Sequence, residues 1–514
     1  MSYQNPIIPG FHPDPSIVRV GEDFYLVTSS FEYFPGVPIF HSRDLVNWQP
    51  IGHALTRESQ LKFPNWVASG GIFAPTLRHH NGTFYMVTTN VSGGGNFFVH
   101  TTDISGEWSD PVWLDQGGID PSLFFDDDGK VYLTSSWGKG WPSPDEVTLE
   151  DGYWGIQQSE IDLQSGKCLT EPRVIWSGTG GRYPEGPHLY KINGKYHLMI
   201  AEGGTERGHM ITMARSDTPW GPWENCPHNP ILSNRSMQSP FQALGHGDLV
   251  ETQDGSWWMV CLGIRLQGNP ETGHLGRETF LAPVQWNSEG WPVVGHQGQL
   301  RKNHARPNLP AHPWPEQEQD PFAGSELGLQ WVTMGNPTKD FWSLTERPGS
   351  LRLKGSILPL EAGEGAAFLA FRQESYTCEV QVTLDFAPEQ EREEAGITVW
   401  ANPNHHYDLL VTRQQGKRMA LLRKRIGDLL DIRSGFELPE GPITLLISAQ
   451  PETYTFAVQQ AGQSPVQVGS GVARYLAPEV AGGFTGAMLG LFCSGNGQEV
   501  SGPAFFSGLK VQLR

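Results

Sequence analysis

A chain of 514 residues exceeds what one ordinary core can organise, so at least two domains are expected. A formal charge of -19 and a pI near 5.3 oppose phosphate-backbone binding and exclude nucleic acid as a partner class. No stretch reaches the roughly 18 uninterrupted apolar residues of a membrane span, and "MSYQNPIIPG" lacks a basic n-region and a long apolar h-region, so a soluble, unexported, cytoplasmic protein is expected.

Five cysteines (Cys168, Cys226, Cys261, Cys378 and Cys493) are odd in number and form no CxxC pair. They read as reduced thiols, not as a disulfide framework or zinc ligands. Sixty-one glycines and 40 prolines punctuate runs rich in aromatic and β-branched residues, which argues for an all-β chain. Most of the 18 tryptophans are expected in cores, with some free to lie against a sugar ring.

Along the chain, five short strands each lead into a turn and an aromatic strand. "DPSIVRV" at Asp14 precedes "GEDFYLVTSS", and "APTLRHH" at Ala74 precedes "NGTFYMVTTN". "DPSLFFD" at Asp120 precedes "DGKVYLTSSW", "EGPHLYK" at Glu185 precedes "NGKYHLMIAE", and "HGDLVET" at His246 precedes "DGSWWMVCLG". Four of the turns carry Asn-Gly or Asp-Gly, the signal of a tight hairpin. Aligned on Tyr25, Tyr85, Tyr132, His197 and Trp258, the five units hold register within one residue. The period is a little longer than the roughly 40 to 50 residues of known propeller repeats. The expected architecture is a five-bladed β-propeller over residues 1–306. "DDDG" at Asp126 to Gly129 occupies a turn slot of this repeat and reads as a hairpin turn, not as an ion-binding loop.

In a propeller the innermost strands face the central channel, so equivalent positions converge on the axis. Those positions are Asp14, Ala74, Asp120, Glu185 and His246. Prolines flank Asp14, and the proline after it biases it towards extended backbone, so the carboxylate stands on a stiff stem. A sequence selected for stability alone has little reason to gather three acids in one channel. Two carboxylates across a bond are the machinery of glycoside hydrolysis: one protonates the leaving oxygen and the other activates water or attacks the anomeric carbon.

Residues 307–319, within "PNLPAHPWPEQEQDPF", are Pro-rich and polar, as a linker should be. Residues 320–514 then alternate in segments such as "YTCEVQVTLDF", "AGITVWAN", "ITLLISAQ" and "AMLGLFCS", which indicates an antiparallel β-sandwich. "GKRMALLRKRIGDLL" mimics a helix, but the interior Gly427 and its neighbours favour paired strands. A carbohydrate-binding module is an alternative reading of this domain.

The stretches "NPIIPGFHPDPSIVRVGEDFYLVTSSFEYFPGVPIFHSRDLVNW", "GIFAPTLR", "GIDPSLFFDDDGKVYL", "RYPEGPHLYK", "GHGDLV" and "LGRET" together resemble glycoside hydrolase family 43, the β-xylosidase and α-L-arabinofuranosidase family. The resemblance implies an inverting enzyme with Asp14 as general base, Glu185 as general acid, and Asp120 as the modulator that raises the pKa of the acid and orients it. It implies that Arg277 binds the sugar beside a carboxylate, and that Phe31 and Phe73 line the pocket floor, Phe73 standing where many relatives carry Trp. Ala74 and His246 complete the expected sugar-binding set. His246 matches a channel histidine that lies near a water or metal in relatives, and a structural Ca2+ is a candidate, with no cofactor required for the chemistry. In the two-domain xylosidase subgroup the sandwich helps to close the pocket. The expected substrate is a xylo-oligosaccharide or an arabinose-containing glycan, and a homo-oligomer is compatible with the sequence. α-L-Arabinofuranosidase or bifunctional activity is the enzymatic alternative. A retaining fructan hydrolase would need the absent "NDPNG" and "RDP" motifs, and a non-catalytic sugar-binding propeller would not need the acid trio.

Overall fold

The computed structural model describes residues 2–138, 154–315 and 321–513. Five four-stranded antiparallel sheets follow one another in chain order, each opening on its innermost strand. Those first strands are Ser16–Val20, Thr76–His80, Ile119–Phe125, Glu185–Ile192 and Phe241–Glu251. The Asn-Gly turns form as read, with Asn81 and Gly82 at φ 49° and 79° and Asn193 and Gly194 at 52° and 77°. Two successive positive φ values suit the twist of the flanking strands. Asp126 closes its own turn and also accepts from Lys191 Nζ at 3.0 Å and Tyr196 Oη at 2.6 Å, so the "DDDG" stretch is a hairpin tied to the next blade.

The blades are knotted together on the axis by Asp248. Its Oδ2 accepts from Ser16 Oγ at 2.7 Å and Arg78 Nη1 at 2.8 Å, and its Oδ1 accepts from Tyr190 Oη at 2.6 Å. Arg78 Nη2 also donates to His188 Nδ1 at 2.8 Å, and that nitrogen lies 3.3 Å from Ser122 Oγ. One residue or more from every blade thus joins a single buried network. Burial opposes the charge of Asp248, but Arg78, His188 and the Ser16 hydroxyl outweigh it and hold the carboxyl well below its ordinary range. Asp248→Ala leaves Arg78 charged and unpaired, and chemical denaturation should show a loss of about 3 to 5 kcal/mol. Because the folded pKa is depressed, the wild-type contribution is complete above the unfolded carboxyl value of about 3.9 and is lost as pH falls below it.

The repeat register differs from the sequence reading at one blade. Unbroken pairing of the inner strand starts at Ser16 and Thr76 in the first two blades and, after a register shift, at Ser122, His188 and Asp248 in the others, and two positions before these residues stand Asp14, Ala74, Asp120, Gly186 and His246. Gly186, not Glu185, therefore holds the equivalent place. Its φ of 57° matches Asp14 at 55°, Asp120 at 53° and His246 at 45°. A Cβ on Gly186 would meet the His246 ring at 2.9 Å, so the chain places a glycine there and sends the acid out from the preceding residue. The same φ values correct the expectation of extended backbone at Asp14. The strand starts turn left-handed to aim short carboxylates at the axis, a costly conformation that Asp tolerates better than most residues.

Residues 307–315 carry no strand or helix and lie against the first blade, where Asp44 Oδ2 accepts from Arg306 Nη2 at 2.9 Å and from the His312 amide at 2.8 Å. The remainder of the expected linker, 316–319, and the expected domain start at Asp320 lie outside the described residues.

The C-terminal region is a sandwich of a seven-stranded and a six-stranded sheet. "GKRMALLRKRIGDLL" forms strands Lys417–Ile426 and Leu429–Glu437 about a turn at Gly427, φ 63°. The strand Cys378–Asp385 alternates buried and half-buried positions, whereas Glu394–Asn402 is buried almost throughout. The difference follows from position. The six-stranded sheet packs one face on its partner and the other, through Phe368, Trp400, Met488 and Phe492, on Phe11, Phe31 and Tyr33 of the propeller. Tyr33–Phe34 also pairs with Thr333–Met334. This docking carries a loop of the sandwich over the channel mouth.

Candidate active site

A cavity of about 780 Å³ opens on the propeller axis, and all eight residues expected from sequence line it: Asp14, Phe31, Phe73, Ala74, Asp120, Glu185, His246 and Arg277. The sandwich supplies a further wall, including Glu479 and Phe484.

Asp14 is 3% accessible and fully engaged. Ser29 Oγ donates to its Oδ2 at 2.5 Å, Arg277 Nη1 donates to its Oδ1 at 3.0 Å, and His246 Nδ1 lies 3.8 Å away. Burial pushes its pKa up, but Arg277, His246 and Ser29 together push harder and hold it below the ordinary value of 3.8. Asp14 is an ionised carboxylate at neutral pH.

Asp120 differs. Its Oδ2 accepts only the Gly186 amide among the hydrogen bonds of the described residues, at 3.1 Å. Burial raises its pKa to about 6; the charge of Asp14 adds to that rise, while His246, Gly186 and Arg277 temper it. Glu185 is pushed further. Burial comes first, then repulsion from Asp120 and Asp14, and Arg277 opposes them without prevailing, so the carboxyl stays protonated well above its ordinary range. Its side chain keeps 20% of its surface accessible, enough to meet a bound molecule. In the loop just upstream, the amides of Thr179 and Gly181 donate to buried Glu202 at 2.9 Å each, which ties down the segment leading to Glu185. One pocket thus holds an ionised carboxylate and a protonated carboxyl group, the division that acid–base chemistry across a bond requires.

Arg277 links the two domains at this pocket. Besides Asp14 it donates to Thr205 Oγ1 at 3.1 Å and to the Phe484 carbonyl at 3.4 Å, and its guanidinium sits 5.5 Å from the Phe31 ring and 5.7 Å from the Phe484 ring. Phe31, Phe73 and Phe484 form an aromatic trio with centroids 5.2 to 5.9 Å apart. The Phe484 amide is held by Ser69 Oγ at 2.8 Å. At the rim, Tyr183 is 38% exposed and its ring stands edge-on to Trp154.

Sequence reading missed Ser29, Thr205, His209 and Phe484. Phe484 had a local signal, a lone aromatic in the Gly-rich stretch "GGFTGA" between strands. The others had none, being ordinary polar residues brought in by the fold. For His246, the surroundings do not fit the candidate Ca2+, which takes six to eight oxygens. The residue offers one imidazole beside carboxylates already committed to Arg277, Ser29 and Gly186, and among the described residues no group of three or more His, Cys, Asp or Glu side chains is disposed to hold a metal.

Comparison with known proteins covers nearly the whole chain. The profile of glycosyl hydrolases family 43 matches residues 3–292, and that of the β-xylosidase C-terminal concanavalin A-like domain matches 319–512. A non-reducing end α-L-arabinofuranosidase of Bacteroides ovatus is 46% identical over 512 residues, covering 98% of this chain and 94% of the relative. A xylosidase/arabinosidase of Butyrivibrio fibrisolvens is 39% identical, with 96% of each chain covered. The crystal structure of a xylan β-1,4-xylosidase from Bacillus halodurans superposes with a TM-score of 0.93 at 36% identity, covering 99% of this chain and all of that one. With the acid trio in one pocket and both domains matched end to end, the chain belongs to glycoside hydrolase family 43.

Proposed function

We propose that the protein is an exo-acting, inverting glycosidase that releases single pentoses from non-reducing ends, with β-xylosyl units of short xylo-oligosaccharides as its main substrate. The observation that carries the reading is one cavity lined by a buried Asp14 held by Arg277 and Ser29 and by an accessible Glu185, whose surroundings favour opposite ionisation states. Asp14, ionised and held by Arg277 and Ser29, takes a proton from the attacking water. Glu185, protonated and accessible, gives its proton to the leaving glycosidic oxygen. Asp120 sustains that proton by repulsion and fixes the Gly186 backbone beside the acid. Direct attack of water leaves the anomeric centre inverted.

The sugar contacts Arg277 and the Phe31, Phe73 and Phe484 rings, whose faces suit the apolar C–H surface of a pentose. The wall from the sandwich supports exo action because it obstructs a polymer chain from running through the cleft. The free state of all five cysteines supports a reducing, cytoplasmic setting. A second reading, α-L-arabinofuranosidase, is favoured by the 46% identical relative that carries that activity in its name. Initial rates on aryl β-xylosides and aryl α-L-arabinofuranosides, with product analysis on xylohexaose, decide between them. The proposal expects the higher kcat/KM on the xyloside and xylose as the first product. A preference for the arabinofuranoside transfers the main activity to the second reading, and mixed internal oligomers as first products overturn exo action.

A further inference from the structure

His209 immediately precedes the strand Met210–Ser216, and its ring is buried to 1% accessibility against the strand Phe241–Glu251. Its Nδ1 lies 3.1 Å from the Ala243 carbonyl. A carbonyl only accepts, so Nδ1 carries the proton, and in the neutral ring Nε2 is then an acceptor with no hydrogen to give. Burial above all keeps the ring neutral: it pulls the pKa down to about 3, with His246 and Arg277 adding to the drop and the Ala243 bond opposing it. Among the described residues Nε2 has no hydrogen-bond partner, and it lies 3.8 Å from Glu185 Oε1.

Three departures from a regular strand surround this one imidazole. Ala243 holds φ 56°, a costly conformation for a residue with a Cβ, and it is the residue whose carbonyl accepts from Nδ1. The ladder shifts register between Gln242 and Gly245. A Cβ on Gly245 would fall 2.0 Å from the His209 ring, so only glycine leaves room for it. All three meet at the ring whose bare nitrogen faces Glu185.

We propose that His209 is a positioning residue for the acid: its bare Nε2 accepts a hydrogen bond from the protonated Glu185 carboxyl, holding that carboxyl oriented and protonated until the leaving oxygen arrives. The inference rests on the reading of Glu185 as general acid. A side-chain rotation of Glu185 closes the 3.8 Å gap, and the proton then passes from Glu185 to the glycosidic oxygen as the C–O bond breaks. Glu185 is left as a carboxylate facing a nitrogen that cannot donate to it. That mismatch favours recapture of a proton from solvent and readies the next cycle. A hydrogen bond to the neutral form of an acid raises its pKa. His209 thus works with Asp120 and Asp14, which push Glu185 the same way, and against Arg277.

The test compares the pH dependence of kcat/KM for wild type, His209→Asn, His209→Gln and Glu185→Gln on a xylobiose-type substrate and on a dinitrophenyl glycoside. Asn can keep the donor to Ala243 but has no atom at the ε position. Gln can offer its NH2 to Ala243 and its oxygen to Glu185. His209→Asn should move the alkaline limb down by at least about half a pH unit. It should also lose about 10-fold on the disaccharide with little loss on the activated substrate. His209→Gln should restore the limb. A misfolded fraction scales the amplitude of such a profile without moving its limb. A limb that stays in place in His209→Asn, or an equal loss on both substrates, overturns the role of His209. A limb that survives in Glu185→Gln overturns instead the assignment of the acid.

Discussion

Asp14→Asn should lower kcat/KM by about 10³-fold or more on every substrate, activated or not, at the upper end of what a positioned base contributes. The amide keeps the volume of the carboxylate, and its oxygen can accept from Arg277 while its NH2 donates to the Ser29 hydroxyl, so the pocket retains its shape. What disappears is the proton acceptor for water. A better leaving group does nothing for that defect, because water must still be activated before it attacks. The acid limb of the wild-type profile belongs to this group and should lie below the ordinary carboxyl range, since Arg277, His246 and Ser29 hold Asp14 ionised against its burial.

Glu185→Gln should split the substrates. On a disaccharide, whose leaving alkoxide departs only with a proton, the loss should again approach about 10³-fold. On a dinitrophenyl glycoside the leaving group departs as a stable anion, and most activity should survive. The sign with pH follows from the raised pKa: activity that needs protonated Glu185 is complete below that pKa and falls as pH rises through it. The variant should therefore lose the alkaline limb on the activated substrate. An equal loss of Asp14→Asn and Glu185→Gln on both substrates would show that the two roles are not divided in this way.

The reach of sequence reading into this molecule has physical limits that particular residues make plain. Asp14 and Asp120 were legible because each stands before Pro-Ser at the head of an inner strand, a local pattern repeated in the same register. Glu185 was found too, yet one position from its repeat equivalent. The Glu-Gly-Pro triplet packs Gly186 against His246, and sequence alone does not show that a ring from another blade occupies the space of a Cβ. The φ of 55° at Asp14 runs against the bias imposed by the following proline, as does the φ of 53° at Asp120, so the local preference does not decide the backbone at either acid. The sandwich strands were visible from alternation. Their docking on Phe11, Phe31 and Tyr33 was visible only as strands buried on both faces. His209 and Ser29 left no trace, since their meaning lies wholly in which acid the fold sets beside them.

The central claim, that Asp14 directs water onto a sugar whose leaving group Glu185 protonates from the opposite side, is tested most directly by the anomeric configuration of the first sugar released. Proton NMR of an aryl β-xyloside digest, followed from the first turnovers and before mutarotation, should show the α-anomer of xylose accumulating first, with the β-anomer growing in later at the spontaneous rate. First appearance of β-xylose would mean two displacements through a covalent intermediate, and would contradict the assignment of Asp14 as a base acting on water.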